Sequence, residues 1–271
     1  MDRREQLLAA YDDQIKGNDA GDPPGVPITV DGPVRYLDFE HQGFVDAGDL
    51  SALDGTQLDA LIARAREHFT RLGRPVEWKT HGHDSPADLT DRLRTAGFEP
   101  EDEETIVIAE TASIATRTTI PDGVAIRQTT NSDDMDRIAA MQAMVWEEPR
   151  DWLADVLRRE LADQPDLIDI YVAEASGGIV SAGWVRYKEG TDFAGLWGGS
   201  TLRAWRGKGI YRALVAVRAQ RARERGFRYL QVDASNESRP ILERLGFVAV
   251  TTTTPYIFTH VDRQPAAVKR Q

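Results

Sequence analysis

The chain is predicted to fold as an α+β protein with an α/β-type mixed sheet, in two modules. Three observations carry this. Segments with a helical apolar period alternate with short β-branched and aromatic runs along the chain. Its 271 residues amount to roughly 1.8 domains at ~150 residues each. The charge is unevenly shared: residues 1–120 hold 12 basic and 24 acidic side chains, and residues 121–271 hold 21 and 20. A step of that size marks separate modules. The Thr-rich stretch 111–123 lacks an apolar period and ends in a Pro-Asp-Gly turn signal, which sets the expected boundary near residue 120. The expected division is an accessory module at 1–118, a larger module at 121–262 and a tail at 263–271.

Composition removes several function classes. An apolar share of 41% is that of an ordinary globular chain. The net charge of −11 argues against generic binding to nucleic acid or to an anionic membrane. Zero cysteines exclude a disulfide scaffold, Cys-ligated zinc, iron–sulfur clusters and a thiol nucleophile. No apolar run reaches the ~20 residues of a membrane span, and MDRREQLLAAYDDQ lacks the apolar core of a secretory leader. The expectation is a soluble cytoplasmic protein, monomeric or homodimeric.

In the first module, 5–16 reads as a short helix, GNDAGDPPGVP as a loop and VRYLDF (34–39) as a strand. Leu58, Leu61, Ile62, Ala65 and Phe69 recur at helical spacing over 57–72. The strand VEWK, the turn HGHDSP, a helix opened by Ser85-Pro86 and stopped at Gly97, and the strand TIVIAE (105–110) follow. His81, His83 and Asp84 form an H-x-H-D string. A closed metal site needs further ligands at a defined offset, so these are expected to be solvated loop residues and no metal is expected.

The second module opens with the strand VAIRQTT (124–130). The helix SDDMDRIAAMQAMVW follows, capped by Ser132 or Asp133, and then the helix PRDWLADVLRREL. IDIYVAEA (168–175) and GIVSAGWVRY (178–187) read as a hairpin turned at Ser176-Gly177-Gly178. FAGLWGGSTL (193–202) is a strand whose Gly198-Gly199 marks a bulge or a close approach. A long helix, GIYRALVAVRAQRARERG, comes next. The strand YLQVDA, a short helix RPILERLG and the strands VAVTTTT and YIFTHV complete the order.

The sharpest signal is RAWRGKGIYRALV (203–215), a strand leading through a Gly-containing turn into a helix. The first amides of a helix have no internal partner and lie at the positive end of its dipole. Gly207 and Gly209 let an anion approach that backbone, which makes a phosphate cradle. Neither a P-loop Gly-Lys-Ser/Thr nor a G-x-G-x-x-G triple is present, and an ordinary basic turn is the alternative. Between Thr201 and Leu230 there are nine basic residues and one acid, Glu224, a field that suits a small polyanion. Arg206, Lys208 and Arg212 are close to the turn. Arg218, Arg221, Arg223 and Arg225 are expected to be a solvated helix face.

These residues resemble the GCN5-related N-acetyltransferase (GNAT) family, whose acetyl-coenzyme A loop reads [Arg/Gln]-x-x-Gly-x-[Gly/Ala] between its fourth strand and a helix. Arg206, Gly207, Lys208, Gly209 and Ile210 follow that pattern, while Tyr211 stands at the last position. SNESRPILERLGF is similar to the family's downstream block: Asn236, Gly246 and Phe247 match, and Leu242 stands where the family often has the Tyr that protonates the leaving thiolate. The likeness covers about 121–260 in element order.

The resemblance implies an acyl-coenzyme A N-acyltransferase fold, acetyl-coenzyme A as acetyl donor, and direct attack by a primary amine of a small molecule or peptide. It implies that Thr201, Leu202, Arg206, Gly207, Lys208, Gly209, Ile210, Tyr211, Arg212 and Asn236 hold the cofactor. The family often places a base on its fourth strand, but FAGLWGGSTL has no carboxylate. Glu147 and Glu148, in the break between two helices, are the candidate bases, with Asp233 and Ser235 as proton relays. Trp146, Trp184, Tyr187 and Asp192 are candidates for the acceptor pocket. A coenzyme A-binding protein that has lost catalysis is the alternative. The first module also echoes the second: helix to Gly73, strand, RLRTAGF and TIVIAE parallel helix to Gly226, strand, ILERLGF and VAVTTTT. It has no counterpart of RGKGIY, so it reads either as a degenerate GNAT-like half of a tandem chain or as a chance likeness.

Overall fold

The computed structural model describes residues 1–18, 25–115 and 119–259. The chain divides into two compact units, Met1–Thr105 with the segment from Thr251 on, and Ile106–Val250. The first unit begins with α1 (Arg3–Gln14), where the Asp2 carboxylate accepts from the Glu5 amide and the Glu5 side chain accepts from the Asp2 amide. Strands β1 (Ile28–Asp31), β2 (Val34–Asp38) and β3 (Gly43–Ala47) follow. Helix α2 (Gly55–Arg71) opens on the same reciprocal cap between Asp54 and Gln57. It buries Leu58, Leu61, Ile62, Ala65 and Phe69, the stripe read from the sequence. The Leu, Ile and Phe side chains of this stripe contribute about 1.5–3 kcal/mol each. Then come β4 (Val76–His81), α3 (Leu89–Thr95) and β5 (Glu99–Pro100).

Strand β6 (Glu104–Glu110) leads into the second unit. There β7 (Val124–Thr129), α4 (Ser132–Trp146), α5 (Asp151–Asp163), β8 (Ile168–Ala175), β9 (Gly178–Tyr187), β10 (Phe193–Thr201), α6 (Ile210–Glu224), β11 (Tyr229–Ala234) and α7 (Arg239–Arg244) follow in order. The last strand, β12 (Val248–Phe258), passes into the first unit. Strand order in the first unit is β1-β2-β3-β4-β12 and in the second β6-β11-β10-β9-β8-β7.

Several expectations are corrected. The units part at Thr105 and again at Val250, not near residue 120. The reason is that β6 is buried along its middle, with Val107 and Ala109 packed in the second unit's core. The polar stretch 111–123 therefore lies inside that unit, and residues 116–118 and the tail 263–271 fall outside the described residues. The two closing strands are one: β12 runs through Pro255 and pairs antiparallel with β4 from Thr253↔His81 to Phe258↔Val76. Asn131, one residue before the expected cap, accepts from the Asp133 amide at the start of α4. The short, largely solvent-facing β1 and the strand β3 lacked a sequence signal. No helix among the described residues is long and apolar enough to cross a membrane.

The echo between the halves has a structural counterpart. In each unit a strand, a long helix and a parallel strand recur: β3-α2-β4 pairs Gly43↔Val76, Phe44↔Glu77 and Val45↔Trp78, and β10-α6-β11 pairs Phe193↔Tyr229, Ala194↔Leu230 and Gly195↔Gln231. In both, the parallel pairing stops after three residues and the strands part.

Candidate active site

The site grows from β10. Its first third is held by β11, but from Leu196 to Thr201 its edge toward β11 is unpaired. On the other edge the register with β9 slips between Trp197 and Ser200. The slip is a bulge at Gly198, whose φ of +62° suits glycine. A methyl group at Gly198 would lie 2.0 Å from the Trp184 ring, and one at Gly199 2.8 Å from the Tyr211 ring. A strand edge with free backbone polar groups, kinked beside a wedge, can polarise and hold an amide-rich chain.

Directly after β10 the chain makes a 3-10 turn at Arg203–Trp205 and enters α6. Gly207 and Gly209 have φ of +76° and +87°. Gly209 is the N-cap of α6 and no side chain caps it, so the opening amides are left for a ligand. Arg206 is exposed and donates from Nε to the Thr201 carbonyl at 3.0 Å. Lys208 Nζ sits 4.6 Å from the Trp205 ring centroid, Arg212 is exposed, and Ile210 is buried as an anchor for the helix start. Leu202, whose amide was expected to face the ligand, donates it to the Val180 carbonyl at 2.9 Å. Thr201 is buried and shares its hydroxyl with Ser181 at 2.8 Å. The free edge therefore lies upstream of Leu202.

The α4 end reaches this bulge through a side chain that the sequence did not single out. Gln142, buried in α4, donates to the Gly198 carbonyl at 2.6 Å and accepts from Trp146 Nε1 at 2.9 Å. Trp146 and Trp197 are about half exposed. Trp184 is buried against the bulge, and its Nε1 has no hydrogen-bond partner. Glu147 closes α4 with φ of +57° and is exposed, and Glu148 is exposed and ion-paired with Arg150. On the β11 side, Asp233 accepts from Gln231 at 2.6 Å, and Ser235 Oγ meets Ser238 Oγ at 3.3 Å. Asn236 is exposed in the turn that follows.

Two acceptor candidates do not join the group. Tyr187 pairs with Ala194, and its hydroxyl donates to Asp169 at 2.7 Å inside the core. Burial, first, and that bond push its phenol far up. Asp192 precedes β10, and its carbonyl accepts the Arg228 and Tyr229 amides. Both sit at the strand end opposite the α6 loop, roughly 20–30 Å of strand from Thr201 at about 3.3 Å per residue.

The basic helix face is also corrected. Arg221 Nε binds Asp169 at 2.9 Å, Arg225 lies 3.9 Å from Asp169 and over the Tyr187 ring, and Arg218 is completely buried. Only Arg223 of the four is fully solvent-facing. Leu242, in the place of the family's Tyr, is a core residue.

The H-x-H-D string is not a solvated loop. His81 ends β4, is buried, and meets the Tyr11 hydroxyl at 3.2 Å; burial drives its pKa down to about 2. His83 binds Thr251 at 2.8 Å and Asp12 at 3.0 Å. No group among the described residues could hold a metal ion. In this unit Lys16 pairs with Asp84, the Gly17 amide donates to Asp46 at 3.1 Å, and Gly17 packs on Gly48. Residues 11–17 thus bridge the parted ends of β3 and β4.

Residues 134–247 match the sequence profile of the acetyltransferase (GNAT) family. No curated protein matches the chain in sequence. Among solved structures the chain is similar to a GCN5-related N-acetyltransferase from Kribbella flavida, with a TM-score of 0.67 and 14% identity over 95% of this chain and 94% of that one. It is similar at 0.63 and 14% identity to a tandem GNAT protein from the clavulanic acid biosynthesis pathway, over 94% of this chain and 93% of that one. A GCN5-related N-acetyltransferase from Sphaerobacter thermophilus aligns at 0.61 and 14% identity, over 83% of this chain and 76% of that one. The second unit therefore carries a domain of the acetyltransferase (GNAT) family, in a chain whose fold is that of GNAT proteins.

Proposed function

We propose that the second unit transfers an acetyl group from acetyl-coenzyme A to a primary amine of a small molecule or peptide. One observation carries this reading: the edge of β10 that parts from β11 runs directly into an uncapped helix start with two left-handed glycines. The fit to the donor is chemical at both ends. Opening amides of α6, with Arg206, Lys208 and Arg212, suit a diphosphate. The unpaired edge of β10 suits the amide-bearing pantetheine arm, which would present a thioester-activated acetyl group beside the bulge. Tyr211 offers its amide as a glycine would, because its ring is turned onto Gly199. No metal is part of the proposed chemistry.

The amine nitrogen forms the new C–N bond as the C–S bond breaks. Glu147 or Glu148 would take the proton that the ammonium must lose, directly or through water. Ser235 and Asp233 stand on the β11 side as a relay to the leaving thiolate. A thiol with pKa near ~8.5 leaves tolerably unaided, so Leu242 in the core is compatible with turnover. Trp146, Trp184 and Trp197 would line the acceptor side; neither a nucleic acid nor a membrane is a proposed partner, and we place the protein in the cytoplasm. Leu242 and a β10 without a carboxylate also support a second reading, a coenzyme A-binding protein without catalysis. Calorimetry with acetyl-coenzyme A, followed by thiol release across alkyl diamines, aryl amines and lysine peptides, separates the two. Absence of binding overturns both readings, and binding without turnover favours the second.

A further inference from the structure

We propose that Arg218 is a positioning residue for acyl transfer, its buried guanidinium holding the bulge of β10 in the shape that receives the acyl group. The proposal rests on the acyl-transfer reading above. Arg218 lies in the third turn of α6 with no carboxylate among its partners in the described residues. Its Nη1 donates at 3.2 Å to the carbonyls of both Trp184 and Trp197, one on each strand where the β9–β10 register slips. Its Nε donates at 2.9 Å to the Leu214 carbonyl, one turn back on α6. One side chain therefore ties both strands of the bulge to the helix whose start forms the phosphate loop.

Room for this clamp exists because Gly183 lacks a side chain, while Gly199 stands at ordinary contact distance. A methyl at Gly183 would lie 2.7 Å from Nη1, and a methyl at Gly199 3.6 Å from Nη2. A buried cation without a counter-ion is costly. Burial pulls the Arg218 pKa down to about 10, so it is still charged at neutral pH. A purely packing role at this position is met by a methionine or leucine. The guanidinium instead donates to one carbonyl on each strand at the slip, Trp184 and Trp197, and to Leu214 on α6, which fixes where the free edge of β10 points. The donors on that edge act on developing charge only if they are held in place before reaction.

The test uses the full chain with R218M and G183A. The second variant displaces the guanidinium from the strand side without altering α6. Amide hydrogen exchange is read over residues 196–201, acetyl-coenzyme A affinity by calorimetry, and kcat by thiol release with the best amine of the panel. The expected result is faster exchange in 196–201, affinity within about threefold of wild type, and kcat lower by about 100-fold, the scale of one lost oxyanion donor. R218K, which keeps the charge but not the fork, is expected to recover part of kcat. A role in stability alone would lower the melting temperature and leave kcat unchanged well below it. Unchanged exchange in either folded variant overturns the clamp, and faster exchange with wild-type kcat overturns its positioning role. A wild-type protein that turns over no amine refutes the acyl-transfer reading instead, and the exchange measurement still decides the clamp. If R218M does not fold, G183A decides alone.

Discussion

Replacing Gly209 with alanine separates backbone strain from ligand binding. Gly209 has φ of +87° and ψ of −4° at the start of α6, and an L-residue pays about 1–2 kcal/mol there. Its new methyl would also lie 3.3 Å from the Thr119 carbonyl and 3.4 Å from Arg212 Nη2, a contact that needs a shift of a few tenths of an ångström at the carbonyl. Gly226, at the other end of the same helix, has φ of +89° with nothing near its would-be methyl, so G226A carries nearly the same strain and no contact. Both variants are expected to melt about 2–8 °C lower, at ~2–4 °C per kcal/mol for a chain of this size. Only G209A should weaken coenzyme A, because the loop must move from the geometry that aims its amides at an anion. Loss of one charge-assisted hydrogen bond is worth about 1.5–3 kcal/mol, or a rise in Kd of about 10–100-fold. Calorimetry reads the affinity and a thermal melt reads the strain. Equal coenzyme A affinity in G209A and G226A would refute the assignment of the α6 start as the diphosphate site.

Three further outcomes are expected. The chain should bind one coenzyme A, not two, because residues 11–17 bridge the parted ends of β3 and β4 and the loop 48–54 carries Asp49 and Asp54 and no base; a calorimetric stoichiometry of two would contradict this. Asp134 is buried between Arg127, Arg137 and the Thr129 hydroxyl, and the Arg127 bond, first, holds its pKa down from 3.8 to about 2. Its contribution, about 2 kcal/mol, is full above pH ~4 and lost as pH falls toward 2, so D134N should flatten stability between those values, read by urea unfolding at each pH. E147K should raise KM for a diamine about fivefold, the scale of one exposed charge pair. E148K should do less, since Glu148 is already paired with Arg150; equal KM values in all three proteins would remove this acidic entrance.

The proposed cofactor loop was legible because its signal is local. Glycines that must adopt positive φ, a helix start without a capping side chain, and basic residues within one turn are all read from a dozen consecutive letters. The hairpin turn at Ser176-Gly177 and the amphipathic stripe of α2 were legible for the same reason. Tyr187 and Asp192 lie at the far end from the α6 start, and a strand's letters do not say which end adjoins that loop. That depends on where β10 parts from β11, which is a property of two strands far apart in the chain. The arginine-rich run around Arg218 predicts a solvated side chain. Its burial follows from Gly183 leaving room beneath a bulge, and that glycine lies 35 residues before it.

The division of labour is therefore physical. Local backbone preference, capping and charge density, all written within single segments, determined the helices and the uncapped, basic, glycine-bearing start of α6. Tertiary structure alone decided the wedge between β10 and β11, the Gln142 bridge to Gly198 and the clamp under it. It also decided that the −11 charge does not map onto two consecutive modules, since β6 enters the second unit and β12 returns to the first. A tight turn sets the register of a hairpin such as β8–β9, but the pairing of β10 with β11 and of β12 with β4 joins residues far apart in the chain, with no turn between them to set it.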